Sequence, residues 1–326
     1  MAKITNVGIM TSGGDAPGMN AAIRAVVRTA LYHKLDVYGI RHGYQGMING
    51  DIFKMQTTDV SNIIQRGGTI LKTARSREFM TASGMKKAYD EICRHNIEAL
   101  VLIGGDGTFR GADEFFGKYS VPAIGIPGTI DKDLSGTDFT IGFDTAVNTA
   151  MEAIDKIRDT AEAHDRLFII EVMGRDAGYI ALNSGIAGGA EDILIPEEVT
   201  DIEEVLSRID SDELRKKTVH LIVVAEGDDF GGAKELQAAI TERFPLLDVR
   251  SCILGHIQRG GSPTFADRVL ASRLGHAAIR ALIEGKTQMM AGIINNEIVF
   301  TPFSSVVKNT MPVNADMTEI IRVLSH

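Results

Sequence analysis

The stretch that decides the fold runs from residue 99 to residue 133, ALVLIGGDGTFRGADEFFGKYSVPAIGIPGTIDKD. It reads as a strand of unbroken apolar residues, a Gly-Gly-Asp-Gly turn, a helix, a second short strand, and a loop carrying Thr129, Asp131 and Asp133. A strand, helix, strand alternation of this kind marks an α/β protein with a mainly parallel sheet. In such sheets ligands sit where strands end and loops begin, so both loops are expected to face one crevice.

The first loop has a simple physical logic. Gly104, Gly105 and Gly107 let the backbone turn without a Cβ and approach a ligand closely, and the helix that follows offers N–H groups to a phosphate. A carboxylate there, Asp106, repels an anion unless a cation lies between them, and Mg²⁺ held by one or two carboxylates plus substrate phosphates meets that need. Equally, GGDG is a tight strand-to-helix turn with Asp106 as the helix cap, and taken alone the two readings are even.

The second loop moves the balance. Pro127-Gly128-Thr129-Ile130-Asp131-Lys132-Asp133 places two carboxylates and a hydroxyl at the end of a strand. One carboxylate can take a proton from an attacking hydroxyl while a metal handles phosphate charge. On its own this loop reads better as an Asx-turn; with both loops present a site is the better reading. Lys132 is expected to point into solvent, because neighbours on an extended loop alternate sides.

Outward from this centre the same strand, glycine turn, helix grammar recurs. Val7-Gly8-Ile9-Met10 reads as a buried strand, followed by the loop Thr11 to Gly18 and a helix from Met19 with Ala22, Val26 and Ala30 on its inner face. Asp36–Ile40 is a second strand, followed by a glycine-spaced loop through Gly43, Gly46 and Gly50. Residues 143–163 have helical periodicity through Val147, Met151, Ile154 and Ile157, read as core, and His164-Asp165-Arg166 ends that helix before the strand Leu167–Val172. Met173-Gly174-Arg175-Asp176-Ala177-Gly178 repeats the turn logic in the second half, which suggests two similarly built α/β domains. Residues 219–225 and 248–253 are further strands, with Asp228 and Asp229 in a turn, and a helix spans 264–284.

At 326 residues the chain suits two domains sharing a cleft, and 44% hydrophobic with 24% charged residues is ordinary for a globular protein. A formal charge of −9 argues against a nucleic-acid surface. Cys93 and Cys252 form no metal spacing and read as buried residues in a reducing compartment. No apolar run is long enough to span a bilayer and the start of the chain lacks a signal-peptide pattern, so a cytoplasmic protein with no membrane partner is expected.

The motifs TSGGDAPGMNAAIR (11–24), GGDGT (104–108), PGTID (127–131), VMGRDAG (172–178), GHIQRGGSP (255–263) and DRVLASRLG (267–275) stand in this order over most of the chain. In that combination the chain resembles the bacterial ATP-dependent phosphofructokinases of the type A family. The resemblance implies two similar Rossmann-like three-layer domains with mainly parallel sheets facing a shared active-site cleft. Residues 1–141 plus 257–304 would form the nucleotide domain and 142–256 plus 305–326 the sugar-phosphate domain.

The activity it implies is transfer of the γ-phosphoryl group of Mg·ATP to the 1-hydroxyl of fructose 6-phosphate, a glycolytic reaction. Catalytic roles fall to Asp131 as base and to Thr129, Arg175 and Arg75; ATP binding to Gly14, Arg75, Ser76, Gly105, Asp106, Gly107 and Thr108; and the magnesium ion to Asp106. Sugar-phosphate binding falls to Thr129, Ile130, Asp131, Arg166, Met173, Gly174, Arg175, Glu226, Arg250, His256, Ile257, Gln258 and Arg259. Arg166 and Arg250 would reach a neighbouring subunit of a homotetramer.

Arg24, Arg28, Arg158 and Glu191 match an allosteric nucleotide site, but that site's other cations are replaced by Thr57, Thr218 and Val219. The family usually has asparagine where this chain has Lys132, and often glycine at Lys72. Pyrophosphate-dependent relatives would carry a larger residue at Gly107 and lysine at Gly128. NAD and lipid kinases share GGDGT but not PGTID with HIQRGGSP, and a catalytically silent binding subunit is a further alternative.

Overall fold

The computed structural model describes residues 4–163, 166–210, 220–306, 308, 317, 319–320 and 323. They divide between two compact units, one of Met1–Ile130, Leu134–Thr145 and Arg259–Asn309, the other of Asp131–Asp133, Ala146–Gln258 and Thr310–His326. His164, Asp165, Thr218 and Val219, named above, lie outside the described residues.

The first unit opens with β1 (Asn6–Thr11), α1 (Met19–Tyr32), β2 (Asp36–Ile40), α2 (Gly43–Asn49), β3 (Ile52–Met55) and α3 (Ala82–Arg94). It continues with β4 (Ala99–Gly104), α4 (Asp106–Tyr119), β5 (Ala123–Thr129) and the short β6 (Ile141–Gly142). The second unit follows through α5 (Phe143–Glu162), β7 (Leu167–Val172), α6 (Tyr179–Gly188), β8 (Asp192–Leu194), α7 (Ile202–Asp210), β9 (His220–Ala225), α8 (Ala233–Arg243) and β10 (Val249–Ile253). The chain then returns to the first unit with α9 (Phe265–Ile283), β11 (Met289–Ile294) and β12 (Glu297–Pro302).

Among the described residues the first unit holds one sheet ordered β12-β11-β5-β4-β1-β2-β3, with β6 beside β5. Its interior pairings are parallel and only the edge pairs β2–β3 and β11–β12 are antiparallel. Every residue of β4 is buried, as a parallel strand covered on both faces requires. Leu100 and Leu102 of β4 share a core with Phe109 and Phe115 of α4, Met47 of α2 and Met85 of α3. Phe109 also stacks on Phe303, ring centroids 5.4 Å apart. Losing a buried ring of this size typically costs about 3–5 kcal/mol.

The order of strands has one consequence for function. β2 lies on one side of β1 and β4 on the other, so the winding reverses between β1 and β4 and opens a crevice beyond their carboxyl ends. The loops beginning at Ser12 and at Gly105 leave the sheet at that point.

The second unit is a parallel sheet ordered β10-β7-β9-β8. Leu167 and Ile169 of β7, Ile222 and Val224 of β9, and Val249 of β10 pack with Val205, Leu206 and Ile209 of α7 and with Leu236 and Ile240 of α8. α6 packs on β7, β8 and β9. Both units are thus α/β with mainly parallel sheets, as expected.

Three local expectations are corrected. Residues 43–49 form a helix, not a loop: a Cβ on Gly46 would stand 1.5 Å from the Arg41 carbonyl oxygen, so glycine there serves close packing of α2 against its own approach. The fully buried stripe of α5 is Ala146, Ala150, Ile154 and Ala161, while Val147, Met151 and Ile157 are only half-buried. Apart from Ile154, the fully buried positions hold alanine, and the larger Val147, Met151 and Ile157 lie at the boundary. Cys93 is exposed and Cys252 half-buried, both free. Among the described residues no helix is long and apolar enough to cross a membrane.

Asp192, buried at the start of β8, pairs with Arg208 at 2.6 Å, yet burial outweighs Arg208 and pushes its carboxyl up to about 6. A raised native value means that the folded state holds this proton more tightly than the unfolded chain does. The associated stability is fully present below the ordinary carboxylate pKa and is lost as pH rises through about 6. Thermal melts of the parent and Asp192→Asn are expected to show the parent gaining on the variant by about 1 kcal/mol between pH 7 and pH 5. Parallel profiles would show that the carboxyl titrates normally.

Candidate active site

The glycine loops of the first unit are built from the backbone upward. β4 ends at Gly104, where a Cβ would lie 2.4 Å from Thr108 Oγ1 and 2.6 Å from the Ser12 carbonyl oxygen. The strand can therefore turn into α4 beside the loop from β1 only with hydrogen at that position. Gly105 is the N-cap of α4 and makes no side-chain cap, so Asp106 does not cap the helix; it occupies the first turn. Its carboxylate lies 2.9 Å from Arg110 one turn on, and its side chain is 21% exposed. A Cβ at Gly107 would meet nothing within 4 Å, which leaves open space over the helix N-terminus.

Thr108 is buried, and its carbonyl accepts a 2.6 Å hydrogen bond from the Tyr44 hydroxyl. Burial drives the Tyr44 phenol far above its ordinary pKa, so it remains a neutral donor. Gly14 sits under Arg259, whose Nη1 donates to the Asp15 carbonyl at 3.2 Å. Arg75 is exposed. Ser76 is engaged locally: its hydroxyl donates to Gln45 Oε1 at 2.8 Å and accepts from the Phe79 amide.

The second loop leaves the neighbouring strand at the same level, since Gly104 of β4 is in register with Pro127 of β5. Thr129 ends β5, with its Cβ 3.8 Å from the position a Gly105 Cβ would take. Ile130 is fully buried, so only its backbone is available to a ligand. Asp131 and Asp133 are both buried, and these residues group with the second unit. Lys132 has φ +56°, so the extended alternation expected of the loop is broken there. Its side chain is half-buried, and the ammonium stands 5.5 Å from the centroid of the Tyr179 ring. The expectation of a solvent-directed lysine is corrected.

In the second unit the loops after β7, β9 and β10 are tied together. Glu226, just beyond β9, accepts from the amides of Gly174 at 3.3 Å and Arg175 at 2.8 Å. That holds Arg175 in a left-handed conformation, φ +60°, with its side chain exposed. Gln258 is fully buried, and its Oε1 accepts from the amide of buried Met173 at 2.9 Å. His256 and Ile257 are exposed in a short 3₁₀ turn, Gly255–Arg259. Arg166 and Arg250 converge on one carboxylate: Asp248 takes Arg166 Nε at 2.6 Å and Arg250 Nε at 2.8 Å. These hydrogen bonds, that from Arg166 first, hold Asp248 below the usual carboxylate range.

The residues matching an effector site fall in both units. Arg24 and Arg28 share a face of α1 in the first, where burial and then the neighbouring Arg28 charge lower the Arg24 pKa. In the second, Arg158 donates to the carbonyls of Gly188 and Gly189 at the end of α6, and Glu191 accepts from the Leu221 amide at 2.7 Å. Thr57, exposed, opens a 3₁₀ turn, Thr57–Val60.

Three supporting residues were not read from the sequence. Tyr44 and Tyr179 carry no local signal, because each acts across a long separation. Asp248 had one: it lies two positions before Arg250, close enough in any extended segment to share its charge.

The sequence profile described as Phosphofructokinase matches residues 6–282. The protein of Cytophaga hutchinsonii called ATP-dependent 6-phosphofructokinase is 54% identical over 319 residues, 98% of this chain and 97% of that protein. ATP-dependent 6-phosphofructokinase 2 of Bacteroides thetaiotaomicron is 53% identical over 325 residues, 100% of each. Among solved structures, phosphofructokinase from Saccharomyces cerevisiae superposes with a TM-score of 0.89 at 35% identity, over 98% of this chain and 48% of that one. With the profile matched across both units and full-length relatives above half identity, this chain belongs to the phosphofructokinase family.

Proposed function

We propose that this chain transfers the γ-phosphoryl group of ATP to the 1-hydroxyl of fructose 6-phosphate, releasing ADP and fructose 1,6-bisphosphate. The observation that carries the reading is the register of Gly104 with Pro127 beside the β1/β4 reversal. It starts a glycine-lined helix N-terminus and a hydroxyl-and-carboxylate loop from adjacent strand ends, the two parts that phosphoryl transfer needs side by side. Residues 1–141 and 257–304 would carry the nucleotide, and 142–256 with 305–326 the sugar phosphate.

In this reading Asp131 accepts the proton of the attacking hydroxyl, and Thr129 orients the transferred group. Gly14, Gly105, Gly107, Thr108, Arg75 and Ser76 line the nucleotide, while Arg75 and Arg175 offset charge on the moving phosphoryl group as permanently charged forks. Asp106 suits a magnesium ion, being a partly exposed carboxylate beside open space at a helix N-terminus. Such an ion, held by a carboxylate together with substrate phosphates, would neutralise phosphate charge.

Met173, Gly174, Glu226, His256, Ile257, Gln258 and Arg259 would surround the sugar phosphate, together with the backbone of Ile130. Arg166 and Arg250, pre-oriented by Asp248, would serve a neighbouring copy in a homotetramer in the cytoplasm. The effector site, lacking cations at Thr57, Thr218 and Val219, would bind phosphate weakly. The open space over Gly107 favours a nucleotide over pyrophosphate as donor.

An assay coupled to fructose 1,6-bisphosphate formation is expected to show turnover with ATP and none with pyrophosphate; the reverse preference would refute the donor assignment. Asp131→Asn is expected to lower kcat by about 10²–10⁴ with little change in ATP affinity. Near-normal turnover in that variant would remove Asp131 from the role of base. Mass in solution, measured with and without nucleotide, checks the tetramer.

A further inference from the structure

The turn that carries Asp131 contains a residue that does not suit its own backbone. Lys132 adopts φ +56°, a region that costs a side-chain-bearing residue other than Asn or Asp roughly 1–2 kcal/mol and that persists only where surroundings impose it. Asp131 and Asp133 on either side are buried, whereas Lys132 is half-buried with its ammonium 5.5 Å from the Tyr179 ring centroid. That is within the roughly 6 Å at which a cation is attracted by the face of a ring.

Tyr179 is a firm partner. It is the first residue of α6, and the preceding amide, that of Gly178, donates to both carboxylate oxygens of Glu197 at 2.9 and 3.0 Å. A Cβ at Gly178 would stand 2.4 Å from Ile195 Cβ, so the helix start is packed against the segment after β8 without slack. Tyr179 also closes the segment Met173 to Gly178, whose first three amides are held by Gln258 and Glu226. The Lys132 contact therefore links the turn of the proposed base to a loop that is fixed at both ends.

We propose that Lys132 is a positioning residue: its ammonium, seated on the Tyr179 ring, pins residues 131–133 and holds Asp131 in the geometry that proton abstraction needs. The inference rests on the function proposed above. A pairwise contact of this kind is weak, but a misplacement of about 1 Å in a reacting group can cost up to about 10²-fold in rate.

The test is a double-mutant cycle in the full-length protein, with kcat, the KM values for both substrates and hydrogen exchange of residues 131–133 as readouts. Lys132→Met and Tyr179→Leu are each expected to lower kcat about tenfold with KM for ATP unchanged, and the double variant to be no slower than either. Tyr179→Phe, which keeps the ring face, should restore most of the loss. Lys132→Asn, better suited to the backbone but unable to reach the ring as a cation, should remain slow. Exchange at 131–133 should rise in Lys132→Met and Tyr179→Leu.

Additive losses, a fully active Lys132→Asn, or a lower melting temperature with kcat and exchange unchanged would each overturn the proposal. A parent without fructose 6-phosphate kinase activity would sink the functional reading instead, and the exchange data would still decide the clamp.

Discussion

Hydrogen is the only substituent that fits at Gly104. A single carbon there would collide with Thr108 Oγ1 and with the Ser12 carbonyl, and the turn from β4 into α4 could not close against the loop from β1. The candidate site of the first unit depends on that approach. It brings the amino end of a helix to the place where the sheet reverses its winding, with the first-turn carboxylate of Asp106 beside it. Tyr44 supports the turn from behind through a buried hydroxyl on the Thr108 carbonyl.

The second unit solves a similar problem by different means. Its loop after β7 is held from outside by side chains that follow later strands: Glu226, just beyond β9, takes two consecutive amides, and Gln258, in the turn after β10, takes the amide before them. Acceptors of this kind fix a backbone more firmly than turn propensity does, which is how Arg175 keeps a left-handed conformation that few arginines adopt. Asp248 works in the same spirit on side chains, gathering Arg166 and Arg250 so that two cations present themselves together.

Much of this was legible in the chain. Strands β4 and β7 were readable because strands covered on both faces are apolar at nearly every position, and the glycine turns after them were readable because close backbone approach leaves few other residues possible. The helix at residues 43–49 was missed for the converse reason. Gly43, Gly46 and Gly50 are poor helix formers; close contact with the end of β1 explains Gly43, the Arg41 carbonyl explains Gly46, and Gly50 closes the helix in a left-handed conformation, φ +68°. In α5 the periodicity was read correctly, but of the expected stripe only Ile154 is fully buried, since small alanines take the other interior positions.

The sequence by itself determined the α/β class, the two turn-bearing halves and the identities of the acidic and basic side chains offered at strand ends, because those properties rest on composition, periodicity and the steric demands of single residues. Only the tertiary structure decided that Asp106 stands in the first turn instead of capping it, that Lys132 turns back onto an aromatic ring, and that Asp248 serves two arginines. Each of those outcomes depends on a backbone angle or on a partner brought near by folding, and neither is encoded by the spacing of the residues along the chain.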